Sequence, residues 1–265
     1  MAALEARLKA LADEFNQLNA IYQMADDFDP YPIYARMRAE EPVLRGDFLG
    51  RYGLPSQANY LGKRTDVVTL FRHADIMRVL ADTASFSSDL NNDGFGAFWG
   101  EKMPLSVDGD THRRLRALVN PTFFGPALLQ EWRRDFIDPA IRDEYIVPLA
   151  LKGRCELVQD FTLPYPVRVM YEILGFPNDP ETVMQFAKWT FRVFAGLAPN
   201  ASQAVLDDAA DCATKLYDNL LDVVRKRRAE GAEGNDLISR LIRAEGEEGR
   251  LGDREIASLV RSLLP

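Results

Sequence analysis

Two cationic side chains four residues apart are the strongest candidates for chemistry in this sequence. In "DGDTHRRLRALVNPTFFGP", Asp108 to Pro126, His112 is one of two histidines among 265 residues, and Arg116 follows it at i+4. Asp108, Asp110 and Thr111 can each cap a helix, which predicts a helix starting near Thr111. His112 and Arg116 then stand one turn apart on one face, and Leu115, Leu118 and Val119 share roughly that side. Such a pair at the rim of a buried stripe forms a clamp for a carboxylate or phosphate held against the core. Arg113 and Arg114 are expected to point towards solvent. The same spacing also fits a histidine satisfied by a carbonyl and an arginine in an ion pair, and spacing alone leaves both readings open.

The rest of the composition narrows the chemistry. A formal net charge of −8 argues against general nucleic-acid binding, which needs a basic surface. Cys155 and Cys212 lie in no CxxC or Cys/His pattern, so neither a metal site nor a disulfide framework is expected, and two isolated thiols suit a reducing compartment. Glu5, Arg7, Lys9 and Asp13 interrupt the N-terminal stretch, which excludes a signal peptide, and no apolar run reaches membrane-spanning length. A cytoplasmic protein without membrane attachment is the expectation.

The elements that must position the pair are mainly helical. Leu4, Leu8, Leu11, Phe15 and Leu18 make an amphipathic stripe over residues 1–27, expected to pack on its own domain. Pro30 and Pro32 break it, and "IYARMRAEE" reads as a second helix. Short β-branched runs between Pro42 and Leu70, punctuated by glycine, predict the small β region. "HADIMRVLAD" returns to helical period, with Ile76, Val79 and Leu80 on one side. The Gly-rich loop from Ser87 to Pro104 carries Phe95, Phe98, Trp99 and Met103, with Leu105 just beyond it. Helices follow: one with a kink or boundary at Pro139, one with an extended lead-in that stops at Gly175 and Pro177, and the aromatic "FAKWTFRVFAG". A long helix then ends in basic residues and Gly231, and a shorter one is capped by Asn235. The fold class is mainly α with a small β-sheet region.

The stretch around His112 resembles the bacterial haem-thiolate monooxygenases, the cytochromes P450, whose third helix opens with an acidic residue and a cap, then His-x-x-x-Arg followed by Leu and Val. "DPYPIYARMRAEEPV", "HADIMRVLADTASFSSD", "CELVQDFTLPYPVRVMYEILGFP" and "NDLISRLIRAEGEEGRLGDREIASLVRSLLP" are similar to further family segments in family order, from Asp29 to Pro265. The resemblance implies a partial cytochrome P450 domain over residues 28–265, with residues 1–27 an extension it does not explain. It implies that His112 and Arg116 bind the propionates of haem b. It implies that Phe95, Phe98, Trp99, Met103 and Leu105 face an apolar substrate, with "FAKWTFRVFAG" as the pocket roof. Simple loop anchoring and core packing explain these apolar residues as well.

The family's acidic-alcohol pair, its Glu-x-x-Arg pair and its cysteine loop are absent here. Neither Cys155 nor Cys212 is preceded by the loop's Phe-x-x-Gly pattern; both are expected to be small buried or half-buried residues. No catalytic residue and no metal ligand is therefore expected in this chain, which alone would not be competent. The sequence at "VRSLLP" reads as ending in mid-helix, as a truncated record of a longer frame would. The parent would insert one oxygen atom from O₂ into an apolar small molecule, with electrons from NAD(P)H through a ferredoxin or flavodoxin. Arg113, Arg114, Arg133 and Arg134 could dock such a partner or be solvated helix charge. Two rivals stand beside this reading. One is a non-catalytic helical scaffold binding an apolar ligand or protein partner. The other is a regulatory module with "THRRLRALV" as a recognition helix, against which the net charge speaks.

Overall fold

The computed structural model describes residues 2–22, 28–54, 56, 66–89, 103–176, 180–198, 201–246 and 249–264. Helices dominate because apolar residues recur at spacings of three and four along most of the chain. The clearest case is α10 (Gln203–Ala229), where Leu216, Leu220 and Val224 form a fully buried row. That row meets Leu237, Ile238 and Leu241 of α11 (Leu237–Arg243) and Ile256 and Val260 of α12 (Asp253–Arg261) in one core cluster. Full burial of such a side chain contributes roughly 1.5–3 kcal/mol.

Ahead of this core lie α8 (Pro164–Leu174) and α9 (Pro180–Gly196). Phe186 and Phe191 of α9 are buried, which favours core packing for these two aromatics of "FAKWTFRVFAG". The N-terminal helix α1 (Ala2–Tyr22) packs on α9 as its stripe predicts. Leu11 joins the main core, Phe15 lies 6.1 Å from Phe191 between ring centroids, and Arg192 pairs with Glu14 at 3.3 Å.

Helix α2 (Tyr31–Glu40) has Pro30 at its N-cap and Pro32 in its first turn, where proline's fixed φ suits a helix start, so Pro32 opens this helix rather than breaking the chain. The sheet β1 (Val43–Arg45) and β2 (Val68–Leu70) is antiparallel, with Leu44 opposite Thr69, inside the range expected for strands. Phe48 of α3 (Phe48–Arg51) anchors this region, 5.2 Å from both Tyr34 and Phe71. Helix α4 (His73–Ala81) forms as expected, and Ile76 and Leu80 on it are exposed.

Several expectations need correction. From α6 (Pro126–Trp132) to α7 (Val147–Lys152) the chain stays helical, with wide i→i+5 turns over Arg133–Ile137 and Ala140–Ile146. Pro139, which has no N–H to donate, lies between them and so marks a boundary of register rather than an end of the helix. The lead-in to α8 is likewise helical over Val158–Thr162, not extended. A hairpin, β3 (Glu245–Gly246) with β4 (Gly249–Arg250), falls where the pattern reads as helix. The last helix ends at Arg261, and Ser262 and Leu263 form a turn just beyond it rather than a further stretch of helix.

The N-cap of α11 is Asp236, not Asn235. Its Oδ1 accepts from the Ser239 N–H at 2.9 Å, and its Oδ2 accepts from the Ser239 hydroxyl and from Arg227. Arg227 also donates to the Gly175 carbonyl at 2.7 Å. Gly175 ends α8 at φ +84°, and a Cβ there would run into the Asp236 side chain. Only glycine satisfies both conditions.

Candidate functional site

His112 and Arg116 lie on α5 (Gly109–Phe123). The helix forms here because Leu115, Leu118, Val119 and Thr122, at spacings of three, one and three, put one buried stripe against the core. Its N-cap position is Asp108, but the carboxylate does not cap the helix. It accepts instead from the Ser87 hydroxyl at 2.5 Å and the Ser88 N–H at 2.8 Å, tying the segment after α4 to the start of α5. Those bonds, the Ser87 hydroxyl foremost, hold the Asp108 carboxyl below its ordinary pKa, and the field of His112 adds in the same direction.

His112 is half-buried and Arg116 is exposed, on the same flank of the buried stripe. Among the described residues the Arg116 side chain makes no hydrogen bond or ion pair. Its fork and the imidazole are therefore open to one anionic group, or to two carboxylates side by side.

The neighbouring arginines behave differently. Arg113 is exposed, as expected, and pairs with Asp110. Arg114 is not directed to solvent: it makes a two-pronged bond to Glu255 at 3.1 and 3.2 Å, with side chains 20% and 28% exposed. Arg133 faces Asp138 at 3.4 Å and Arg134 faces Asp135 at 2.6 Å. All four arginines that could form a docking patch thus carry a carboxylate, and Arg114 is not solvated helix charge. Glu255 is a residue that sequence reading missed. "LGDRE" carries a capping-box spacing, and the Gly252 N–H does donate to Glu255 at 2.9 Å. A partner 141 residues away has no such local signature.

Of the apolar candidates, Met103 and Leu105 are the two among the described residues, and their surroundings differ. Met103 is buried with Val193, Leu197 and Cys212 between α9 and α10, whereas Leu105 is 61% exposed. Phe95, Phe98 and Trp99 lie outside the described residues. Cys212 is buried, and burial raises its thiol pKa, which disfavours a thiolate. Cys155 is exposed, contrary to expectation, on the open stretch after α7. Among the described residues no cluster of His, Cys, Asp and Glu could hold a metal ion, and no helix is long and apolar enough to cross a membrane.

What this geometry supplies is a histidine and an arginine on one open helix flank. No protein-family model matches the chain. Individual relatives do. Erythromycin C-12 hydroxylase of Saccharopolyspora erythraea is 33% identical over 243 residues, which is 91% of this chain and 54% of that protein. The solved open cytochrome P450 EryK from S. erythraea aligns with a TM-score of 0.66 at 31% identity, over 91% of this chain and 55% of its own. The chain belongs to the cytochrome P450 family. Cyclomarin C epoxidase CymV of Salinispora arenicola, 34% identical over 206 residues, covers 76% of the chain and contributes 50% of its own length. Substrate-free CYP109E1 from Bacillus megaterium shares the fold at a TM-score of 0.69 and 25% identity, over 90% of this chain and 57% of that one. The chain spans about half the length of the relatives it matches. The mainly helical architecture with its small antiparallel sheet is that of the family's solved structures.

Proposed function

We propose that this chain forms the N-terminal part of a haem-thiolate monooxygenase acting on an apolar small molecule, and that His112 and Arg116 hold the haem propionates. The observation that carries this is the open flank of α5. Two donors, one half-buried and one exposed, share that flank, and the Asp108 carboxylate, one turn before His112, is already taken up by Ser87 and Ser88. A pair of propionates is the kind of ligand such a flank can neutralise and hydrogen-bond.

The donor set of this chain fits the propionate end of a haem. Neither cysteine fits the iron end, since one thiol is buried among apolar side chains and the other lies on an open surface stretch. When bound, haem supplies the redox chemistry by which one atom of O₂ enters the substrate. The chain's own contribution is binding and orientation: Arg116 as a two-pronged donor, His112 as a second donor one turn away, and the stripe of Leu115, Leu118 and Val119 as rigid backing. Electrons from NAD(P)H through a ferredoxin or flavodoxin complete the reading. The hydroxylase and epoxidase names of relatives support the reaction class.

The experiment is a reduced carbon-monoxide difference spectrum of the native gene product carrying this sequence, reconstituted with haem. A thiolate-type Soret band is expected. Haem-loaded protein without that band would overturn the reading.

A further inference from the structure

On an α-helix each residue steps by about 100° around the axis. With His112 at zero, Arg116 stands about 40° round and Arg114 about 200°, while the buried stripe of Leu115, Leu118, Val119 and Thr122 centres near 290°. Arg114 and the His112–Arg116 pair therefore occupy opposite flanks of the same stripe. The apolar contacts of the stripe resist separation of α5 from the core but, being non-directional, resist rolling poorly. A two-pronged Arg–carboxylate bond is directional in both distance and plane.

The carboxylate on the far side is itself well anchored. Glu255 Oε2 accepts from the Gly252 N–H at 2.9 Å as well as from Arg114 at 3.2 Å, so the carboxylate is held by its own helix start while it holds Arg114. The start of α12 is fixed to α10 through Arg228, which donates to Asp253 at 2.6 Å and to the Leu251 carbonyl at 3.1 Å. Ile256, one residue on, is fully buried in the core. The tie thus runs from the rigid α10–α12 core, through Glu255, to the flank of α5 that does not bind.

From this we infer that Arg114 and Glu255 are positioning residues that set the roll of α5 and so aim His112 and Arg116 at their ligand. The inference rests on the reading of that flank as the propionate site. Bound groups need to be held within about 0.5 Å and 10–20° of their working geometry, so a roll of that size is enough to matter. Supporting residues one step behind a binding group commonly change affinity about 10–100-fold when removed.

The test is a double-mutant cycle in the haem-loaded native gene product, read as the rate of haem transfer to an acceptor globin well below the melting temperature. Arg114→Ala breaks the pair. Glu255→Gln breaks its charge yet keeps an acceptor for Gly252, which guards against a variant that fails to fold. Each single change is expected to speed haem loss by about tenfold, the double change to be no faster than either single, and Arg114→Lys to restore part of the retention. The haem reduction potential should shift in the same two single variants. Unchanged haem retention with only a lowered melting temperature, or fully additive effects, would overturn the positioning role. Arg116→Ala runs in parallel to separate the two readings. If it speeds haem loss while Arg114→Ala does not, positioning alone has failed. If neither does, the propionate reading has failed and takes positioning with it.

Discussion

Two arginines of this chain, Arg227 and Arg116, have opposite surroundings. Arg227 sits where α8, α10 and α11 meet and donates to Asp236, to the Ser239 hydroxyl and to the Gly175 carbonyl. Arg116 stands on an open helix flank with no partner among the described residues. An arginine whose donors all end inside the chain is part of the scaffold. An arginine with open donors beside a half-buried histidine is available to something outside it. The difference separates stability from binding more sharply than residue type or spacing could.

Removing each arginine is the strongest way to test that contrast. Arg227→Ala leaves the nearly buried Asp236 carboxylate without its cation and should cost about 3–5 kcal/mol in urea or thermal unfolding. Arg116→Ala should cost less than about 0.5 kcal/mol in the same measurement. Comparable losses would erase the distinction. Gly175→Ala tests the same junction from the backbone side. A side chain at φ +84° that also collides with Asp236 should cost about 1–3 kcal/mol, and a neutral result would contradict the close packing described there.

A smaller effect separates the two ends of α5. The folded-state pKa of Asp108 is lowered, chiefly by Ser87, so its contribution is present above the unfolded value of about 4 and is lost as pH falls through the folded value. Asp108→Asn should therefore lower stability at neutral pH and bring the two proteins together in acid. A stability gap that persists unchanged at low pH would show that the Ser87 and Ser88 bonds do not depend on the charge.

The fold class was legible because helical periodicity and strand punctuation are local signals. The stripe of α1, the strands around Leu44 and Thr69, and the stop at Gly175 all follow from residues within a turn or two of one another. What escaped has a non-local or competing cause. Asn235 and Asp236 are both good caps, and Arg227, nine residues earlier, selects the aspartate. Arg114 looks solvated until Glu255 arrives from 141 residues away. The hairpin at Glu245–Arg250 is too short for a period. At the candidate site, the His112–Arg116 spacing was plain in the sequence, whereas the lack of a side-chain partner for Arg116 among the described residues emerges only from the structure.

The central claim is that the open flank of α5 holds haem, and one comparison tests it most directly. Haem-loaded gene product carrying Arg116→Ala is set beside the same protein carrying Arg113→Ala, whose guanidinium already pairs with Asp110, and haem transfer to an acceptor globin is timed. Arg116→Ala should lose haem about tenfold or more faster, the loss of one charged two-pronged bond, while Arg113→Ala stays near the unmodified rate. Equal rates for the two variants would contradict the assignment.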